Sequence, residues 1–190
     1  MVDVVKKGLL IILSGPSGVG KGTVRQELFK DQSLNLAYSI SMTTRKPRPT
    51  EQEGVDYFFV SETEFLNKIE NDELLEYAKF VGNYYGTPRF YVEQLLNEGK
   101  NVVLEIEVQG ALQVMRKCPQ ALTIFLVPPS FEELERRIRG RRTEAEDVVK
   151  ERLDKARKEI ATKDEYKYVV ENDDVLAAKE QISRIIRENA

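Results

Sequence analysis

No histidine occurs among the 190 residues, and there is a single cysteine. The absence of histidine removes Ser/His and Cys/His nucleophilic pairs and histidine-based zinc sites. An enzyme built from this chain must work by positioning and electrostatics, or with carboxylates. One cysteine, Cys118, cannot form an intrachain disulfide, which fits a reducing cytoplasm. With no histidine to activate it, Cys118 reads as a small apolar filler rather than a nucleophile. Long hydrophobic runs are missing too. The apolar run at 8–13 is far too short to span a membrane or serve as a signal peptide, so no membrane partner is expected. Nor is there an excess of positive charge: 29 Lys and Arg stand against 32 Asp and Glu, a net charge of −3. Nucleic-acid binders usually carry a broad basic surface, so no nucleic acid is expected and any basic site must be local.

What is present is a globular composition, 41% hydrophobic and 32% charged, with length enough for one domain and a sizeable core. Helical and strand patterns alternate, predicting a parallel sheet with helices on both faces. Strands are expected at 9–14, 35–41, 55–60, 74–81, 102–107, 122–127 and 166–170. Helices are expected from 24, over 61–71, 88–97 and 108–116, from Ser130 to about Arg139, over 147–161, and from Asp173 or Asp174 to about Asn189. Ser61 with Glu64, and Ser130 with Glu133, have capping-box spacing. Residues 42–54, with two prolines and a glycine, are expected to be irregular, and 82–87 a turn followed by a Tyr-Tyr-Gly-Thr loop. Residues 42–98 break the βαβ rhythm and read as an insertion on a core of 1–41 and 99–190. The arginine-rich stretch at about 138–150 reads as a flap. Ile182, Ile185 and Ile186 of the closing helix suit packing on the core or on a second copy, leaving monomer or homodimer open.

The most specific local pattern is Gly15-Pro16-Ser17-Gly18-Val19-Gly20-Lys21-Gly22-Thr23, between an apolar strand and a helix. A buried strand, a glycine-rich turn and a helix N-terminus in that order form an anion cradle. Backbone N–H groups converge in one concavity and the helix dipole adds positive potential. Lys21 can reach the outer phosphates. Seven of the eight positions of G-x-x-x-x-G-K-[ST] are met. The exception is Gly22, which stands where a Mg²⁺-binding hydroxyl is expected. No direct side-chain ligand to metal is therefore expected; Mg²⁺ brought by ATP would sit on phosphate oxygens and water, which it tolerates well. Thr23 could contact a phosphate or cap the helix.

A second constellation lies in 43–60. Arg45 and Arg48 occupy a proline-stiffened loop, and each guanidinium can grip two phosphate oxygens. Tyr57, Glu76 and the 84–87 stretch follow. Thr43-Thr44-Arg45, Arg48, Glu51, Gly54, Tyr57, Phe59 and Val60 together satisfy T-[ST]-R-x-x-[KR]-x-x-[DE]-x-x-G-x-x-Y-x-[FY]-[LIVMK] in full. With Gly82 to Gly86, Glu105 to Gly110, Pro128-Pro129-Ser130 and Gly140-Arg-Arg-Thr-Glu, the chain resembles the guanylate kinases over about residues 7–187.

That resemblance implies an α/β P-loop kinase fold, with a parallel central sheet flanked by helices, an inserted GMP-binding subdomain and an Arg-rich lid. It implies transfer of phosphate from ATP to GMP and dGMP, with Mg²⁺ as cofactor, in the cytoplasm. Residues 15–23 would hold ATP: Gly15, Pro16, Ser17, Gly18, Val19, Gly20, Lys21, Gly22 and Thr23. Asn172 matches an adenine-side residue, though capping the last helix explains it equally well. For GMP, the resemblance implies Ser41 at the base, Arg45, Arg48, Tyr57 and Tyr85 at the phosphate, Glu76 at guanine N1–H and the 2-amino group, and Thr87 at O6. Glu107 stands where the family often has aspartate. Lys21, Arg45, Arg137, Arg141 and Arg152 match the catalytic cations. Glu105 and Glu107, two apart on the expected strand, should share a face; for Glu105 an ion pair with Lys21 or an arginine is the alternative role. Peptide-binding modules of this fold typically lack the intact phosphate loop, whereas Lys21 and all five arginines are present here.

Overall fold

The computed structural model describes residues 6–140 and 145–190. Five strands make an all-parallel sheet in the order β2-β7-β1-β8-β9: β1 (Leu10–Ser14), β2 (Leu36–Tyr38), β7 (Asn101–Glu105), β8 (Leu122–Val127) and β9 (Tyr168–Glu171). Its strands are nearly continuous runs of Leu, Ile and Val, as a sheet buried on both faces requires. Alternation along β1 assigns the faces. Ile11 and Leu13 pack with Val24 and Leu28 of α1 (Lys21–Leu28) and with Ala178, Ile182, Ile185 and Ile186 of α7 (Val175–Asn189). Leu10 and Ile12 pack with Val92 and Leu96 of α3 (Arg89–Asn97) and with Val108, Ala111 and Val114 of α4 (Val108–Lys117). The three isoleucines of the closing helix therefore meet the core of their own chain. A third cluster joins α5 (Phe131–Arg139) to α6 (Glu146–Ile160) through Leu134, Ile138, Val149, Leu153 and Ala156.

A second, four-stranded sheet is built within 42–98, the segment expected to be an insertion. Its order is β4-β3-β6-β5, from β3 (Met42–Thr43), β4 (Phe58–Phe59), β5 (Leu74–Phe80) and β6 (Asn83–Pro88). Met42 and Thr43 pair antiparallel with Gly86 and Tyr85, so the stretch expected to be irregular opens on a strand, while the expected strand at 35–41 is strand only at Leu36–Tyr38. Only Phe58 and Phe59 of the expected 55–60 strand are extended in a ladder. Residues 83–88 are strand rather than loop. The hairpin bends at Val81 and Gly82, both at positive φ (44° and 77°), the geometry two-residue hairpin turns demand. One residue of register is lost between Leu74 and Glu76, which places Glu76 opposite Thr87. This bulge lets Leu74 enter the small core of the second sheet while Leu75 enters the main core.

Helix α2 (Glu62–Glu70) covers the second sheet with Phe65, which is fully buried and stacks on Tyr84 with centroids 5.3 Å apart. Ser61 accepts from the Glu64 N–H and Ser130 from the Glu133 N–H; Asp174, not Asp173, caps α7. Pro88 is the N-cap of α3 rather than its first turn, and α3 packs on the main core although it lies within the expected insertion 42–98. Strand β7 ends at Glu105, and Glu107 is the N-cap of α4. The two glutamates therefore do not share a strand face.

Phe65 is the one aromatic that fills the gap between α2 and the second sheet with no exposed surface. Phe65→Ala is expected to cost about 3–5 kcal/mol, the scale of an aromatic deletion that leaves a cavity, read as a lowered midpoint of urea unfolding.

Candidate functional site

The glycine-rich loop leaves the C-terminal end of β1, where parallel sheets expose converging backbone groups. Gly20 is the N-cap of α1, at φ 96°. A Cβ there would stand 2.7 Å from Asn172 Nδ2, so only glycine lets Asn172 come this close. Asn172, 2% exposed, donates from Nδ2 to the Val19 carbonyl at 2.7 Å. It is not the cap of α7; it braces the loop from below. Arg137 reaches the same carbonyl from α5 at 3.4 Å, bonds the Asn172 carbonyl at 3.0 Å, and is held by Glu133 at 2.8 Å. Glu133 is pushed down to about 2, first by its hydrogen bonds from Arg136 and Arg137. Arg152, on α6, donates to Ser17 Oγ at 3.0 Å. Arg141 lies outside the described residues.

Lys21 folds back over the loop, donating to the carbonyls of Gly15 at 2.6 Å and Pro16 at 3.1 Å. Burial lowers its pKa; Glu159, Glu105 and Glu107 oppose that. The loop walls a cavity of about 350 Å³ that also exposes Gly22, Thr23, Glu105, Glu107 and Glu159. Thr23 is exposed on this wall, and the cap position of α1 belongs to Gly20. A side chain at Gly22 would face Glu105, whose Oε1 is 3.6 Å from the Cβ position. Glu105 bonds Arg25 Nε at 2.6 Å, and the Arg25 guanidinium lies over the Tyr38 ring. Of the partners weighed for Glu105 from sequence, the one found is an arginine. Glu107 pairs with Lys155 on α6 at 2.7 Å.

On the second sheet, Arg45 donates two hydrogen bonds from Nη2 to Glu51 (2.8 and 3.0 Å) and one to the Lys46 carbonyl (2.8 Å), beside the rings of Tyr57 and Phe59. Glu51 also accepts from the Arg48 N–H at 2.8 Å. It thus fixes the bend that presents both arginines, and Arg45 holds its pKa below the usual carboxylate range. Thr43 and Thr44 fasten the loop to Tyr84: Thr43 Oγ1 donates to its carbonyl at 2.9 Å and Thr44 Oγ1 accepts from its N–H at 2.9 Å. Tyr57 meets Tyr85 edge-on, and the Ser41 carbonyl accepts from the Phe58 N–H.

Glu76 is 8% exposed and accepts from Thr87 Oγ1 at 2.6 Å. Burial raises its pKa; the Thr87 hydrogen bond opposes this, and the charge of Glu107 adds to it. The second sheet meets the core at α4, where the Gln113 side chain accepts from the Tyr77 N–H at 3.1 Å and donates to the Tyr77 carbonyl at 3.0 Å. Gly110, on α4, makes the approach possible: a Cβ there would stand 2.8 Å from Glu76 Oε2. Glu51 and Gly110 were both visible as motif positions, but their work, orienting Arg45 and making room for a carboxylate, needs the tertiary contact. Among the described residues, no group of three or more metal-ligating side chains occurs, and no helix is long and apolar enough to cross a membrane.

A buried carboxylate whose folded pKa is raised binds its proton more tightly folded than unfolded. Stability is then lost as pH rises from the unfolded value through the folded one. Glu76→Gln keeps an acceptor for Thr87 and removes that charge. It is expected to raise the melting temperature at pH 7 by about 2–4 °C, the shift made by ~1 kcal/mol in a chain of this size. The gain should vanish below about pH 4, near the ordinary glutamate value. Thermal melts at the two pH values check this.

The family model for guanylate kinase matches residues 7–189. A guanylate kinase of Mesoplasma florum is 61% identical over 180 residues, covering 95% of this chain and 61% of that relative. The chain thus spans about three-fifths of that relative's length. A guanylate kinase of Bacillus cereus is 60% identical over 181 residues, covering 95% of this chain and 88% of the relative. The crystal structure of guanylate kinase from Anaplasma phagocytophilum superposes with a TM-score of 0.72 at 36% identity, covering 96% of this chain and 86% of that one. With its parallel sheet, its braced phosphate loop and its arginine-bearing second sheet, the chain belongs to the guanylate kinase family.

Proposed function

We propose that this chain transfers the γ-phosphoryl group of ATP to GMP, and to dGMP, giving ADP and GDP or dGDP. The observation that carries the reading is the buried Glu76–Thr87 pair, on the same sheet that holds the arginine loop through Tyr84. Guanine presents two adjacent donors, N1–H and the 2-amino group, which one carboxylate accepts together. Adenine presents an acceptor at N1 and would leave the carboxylate unpaired, a mismatch that can cost a factor of order 10⁴. Thr87 stands beside it for O6, to which it would turn the one O–H it gives Glu76 in the unliganded protein, with Ser41 and Glu107 as further base contacts.

Arg45 and Arg48, with Tyr57 and Tyr85, take the GMP phosphate. Glu51 presents the two arginines in fixed directions, so little rotamer entropy is lost on binding. Residues 15–23 hold the phosphates of ATP, Lys21 exchanging its two loop carbonyls for phosphate oxygens. Arg137, Arg152 and, by the family pattern, Arg141 add positive charge where two polyanions meet. Such cations are worth up to about 10³–10⁵ in rate. Asn172 serves ATP through the loop it braces. The acceptor phosphate has a second pKa of about 6 and needs no general base, which suits a chain without histidine.

The oxygen-rich wall of the cavity, with Glu105 and Glu107, suits a hard divalent cation, while position 22 offers no side chain to it. Mg²⁺ bound by phosphate oxygens and water would neutralise phosphate charge there. Residues 42–98 serve as the acceptor half and about 138–150 as the lid; closing them would exclude water that could hydrolyse ATP. The buried, unpaired Cys118 agrees with a reducing cytoplasm.

A coupled assay of ADP release with GMP, AMP, UMP and CMP tests the reading. GMP should be turned over far faster than the others; equal turnover of AMP would overturn the guanine assignment. Absence of turnover with every monophosphate at saturating Mg-ATP would favour a binding module. In the same assay Glu76→Gln should lower kcat/KM for GMP at least about tenfold, the scale of losing a charged hydrogen bond, and leave KM for ATP within about twofold of wild type.

A further inference from the structure

The phosphate cavity contains a carboxylate to which the reading above gives no role. Glu159, on α6, is 8% exposed and lines the same cavity as Gly15, Ser17 and Lys21. Its Oε2 is buried and has no hydrogen-bond partner. Its Oε1 is 3.6 Å from Lys155 Nζ, a cation that is itself bonded to Glu107 at 2.7 Å. Burial raises its pKa; the charges of Lys155 and then Lys21, and the Ser17 backbone N–H, oppose that, while the charge of Glu107 adds to it. A buried carboxylate with one unpartnered oxygen, lining the same cavity as the glycine-rich loop and Lys21, stands where an anion entering that cavity would meet it.

We propose that Glu159 is a built-in counter-anion of the phosphate loop, which occupies part of its positive field in the unliganded protein and is displaced when a polyphosphate binds. The proposal rests on the reading of residues 15–23 as a phosphate site. Three consequences follow from charge alone. Glu159 satisfies part of the field of Lys21 and the Ser17 N–H when no ligand does. It opposes any entering polyphosphate by like-charge repulsion in a half-enclosed, weakly screened cavity. Displacing it also disturbs α6, which carries Arg152 two turns earlier with its guanidinium on Ser17, so loading the loop is coupled to the helix that delivers a lid arginine. Glu159 is thus a positioning residue that sets the affinity of the empty loop for phosphate chains.

Isothermal titration calorimetry with inorganic tripolyphosphate, in EDTA at low ionic strength, tests this without turnover. Glu159→Gln, nearly isosteric and uncharged, is expected to bind tripolyphosphate at least about fivefold more tightly than wild type, on the scale of one partly screened like charge removed. Glu159→Asp keeps the charge and should fall closer to wild type than to Glu159→Gln. Raising the salt concentration should narrow the gap between Glu159→Gln and wild type. Binding by Glu159→Gln that is equal to or weaker than wild type, with its melting temperature preserved, would overturn the proposal. So would identical tightening in Glu159→Asp and Glu159→Gln, because a packing change would then explain both. If no form of the protein binds tripolyphosphate, the phosphate-cradle reading falls, and this inference with it.

Discussion

The carbonyl of Val19 is the point on which the donor half of the molecule converges. It accepts from Asn172, which follows β9, and from Arg137 of α5, while Gly20 beside it opens α1. A loop whose N–H groups all point at a ligand leaves its carbonyls facing the other way, and buried carbonyls must find donors. Asn172 and Arg137 supply them from two elements far apart in sequence. The loop is thereby held in one shape from two sides, a preorganisation of the kind that limits ordering cost at any binding site.

The acceptor half rests on the opposite problem, the burial of a negative charge. Glu76 is nearly sealed by Thr87, Gly110 and the main-core residues beside it. A carboxylate so placed costs stability unless donors meet it, and Thr87 gives it one hydrogen bond, to Oε1 alone. The remaining capacity is what a ring with two neighbouring donors would satisfy. Recognition and instability therefore have one cause, a common relation at sites where a polar group is kept partly unsatisfied. Glu159 repeats the pattern on the donor side, where the unsatisfied group carries the same sign as the ligand.

Between these halves, charge is distributed in pairs that span elements: Arg25 with Glu105, Lys155 with Glu107, Arg45 with Glu51. In a chain with slightly more acid than base, these cations are each held by a carboxylate. Single exposed pairs contribute little to stability. Their effect is on direction: each fixes a long side chain whose free ends remain available to phosphate.

Sequence alone was enough for the parallel core, the phosphate loop, both serine caps and the residues of the arginine loop. Those features are local or repetitive: runs of Leu, Ile and Val, glycine spacing, Ser-x-x-Glu. It misjudged 42–43 and 83–88, because two-residue strands such as Met42–Thr43 have no period to detect and exist only through pairing with Tyr85 and Gly86. It also set Glu107 on the strand of Glu105, where alternation would carry it, although the chain turns into α4 two residues earlier. The bulge that sets Glu76 opposite Thr87, the space left by Gly110, and the meeting of Glu159 with Lys21 were decided by tertiary structure. Each joins residues whose separation along the chain carries no information about their separation in space.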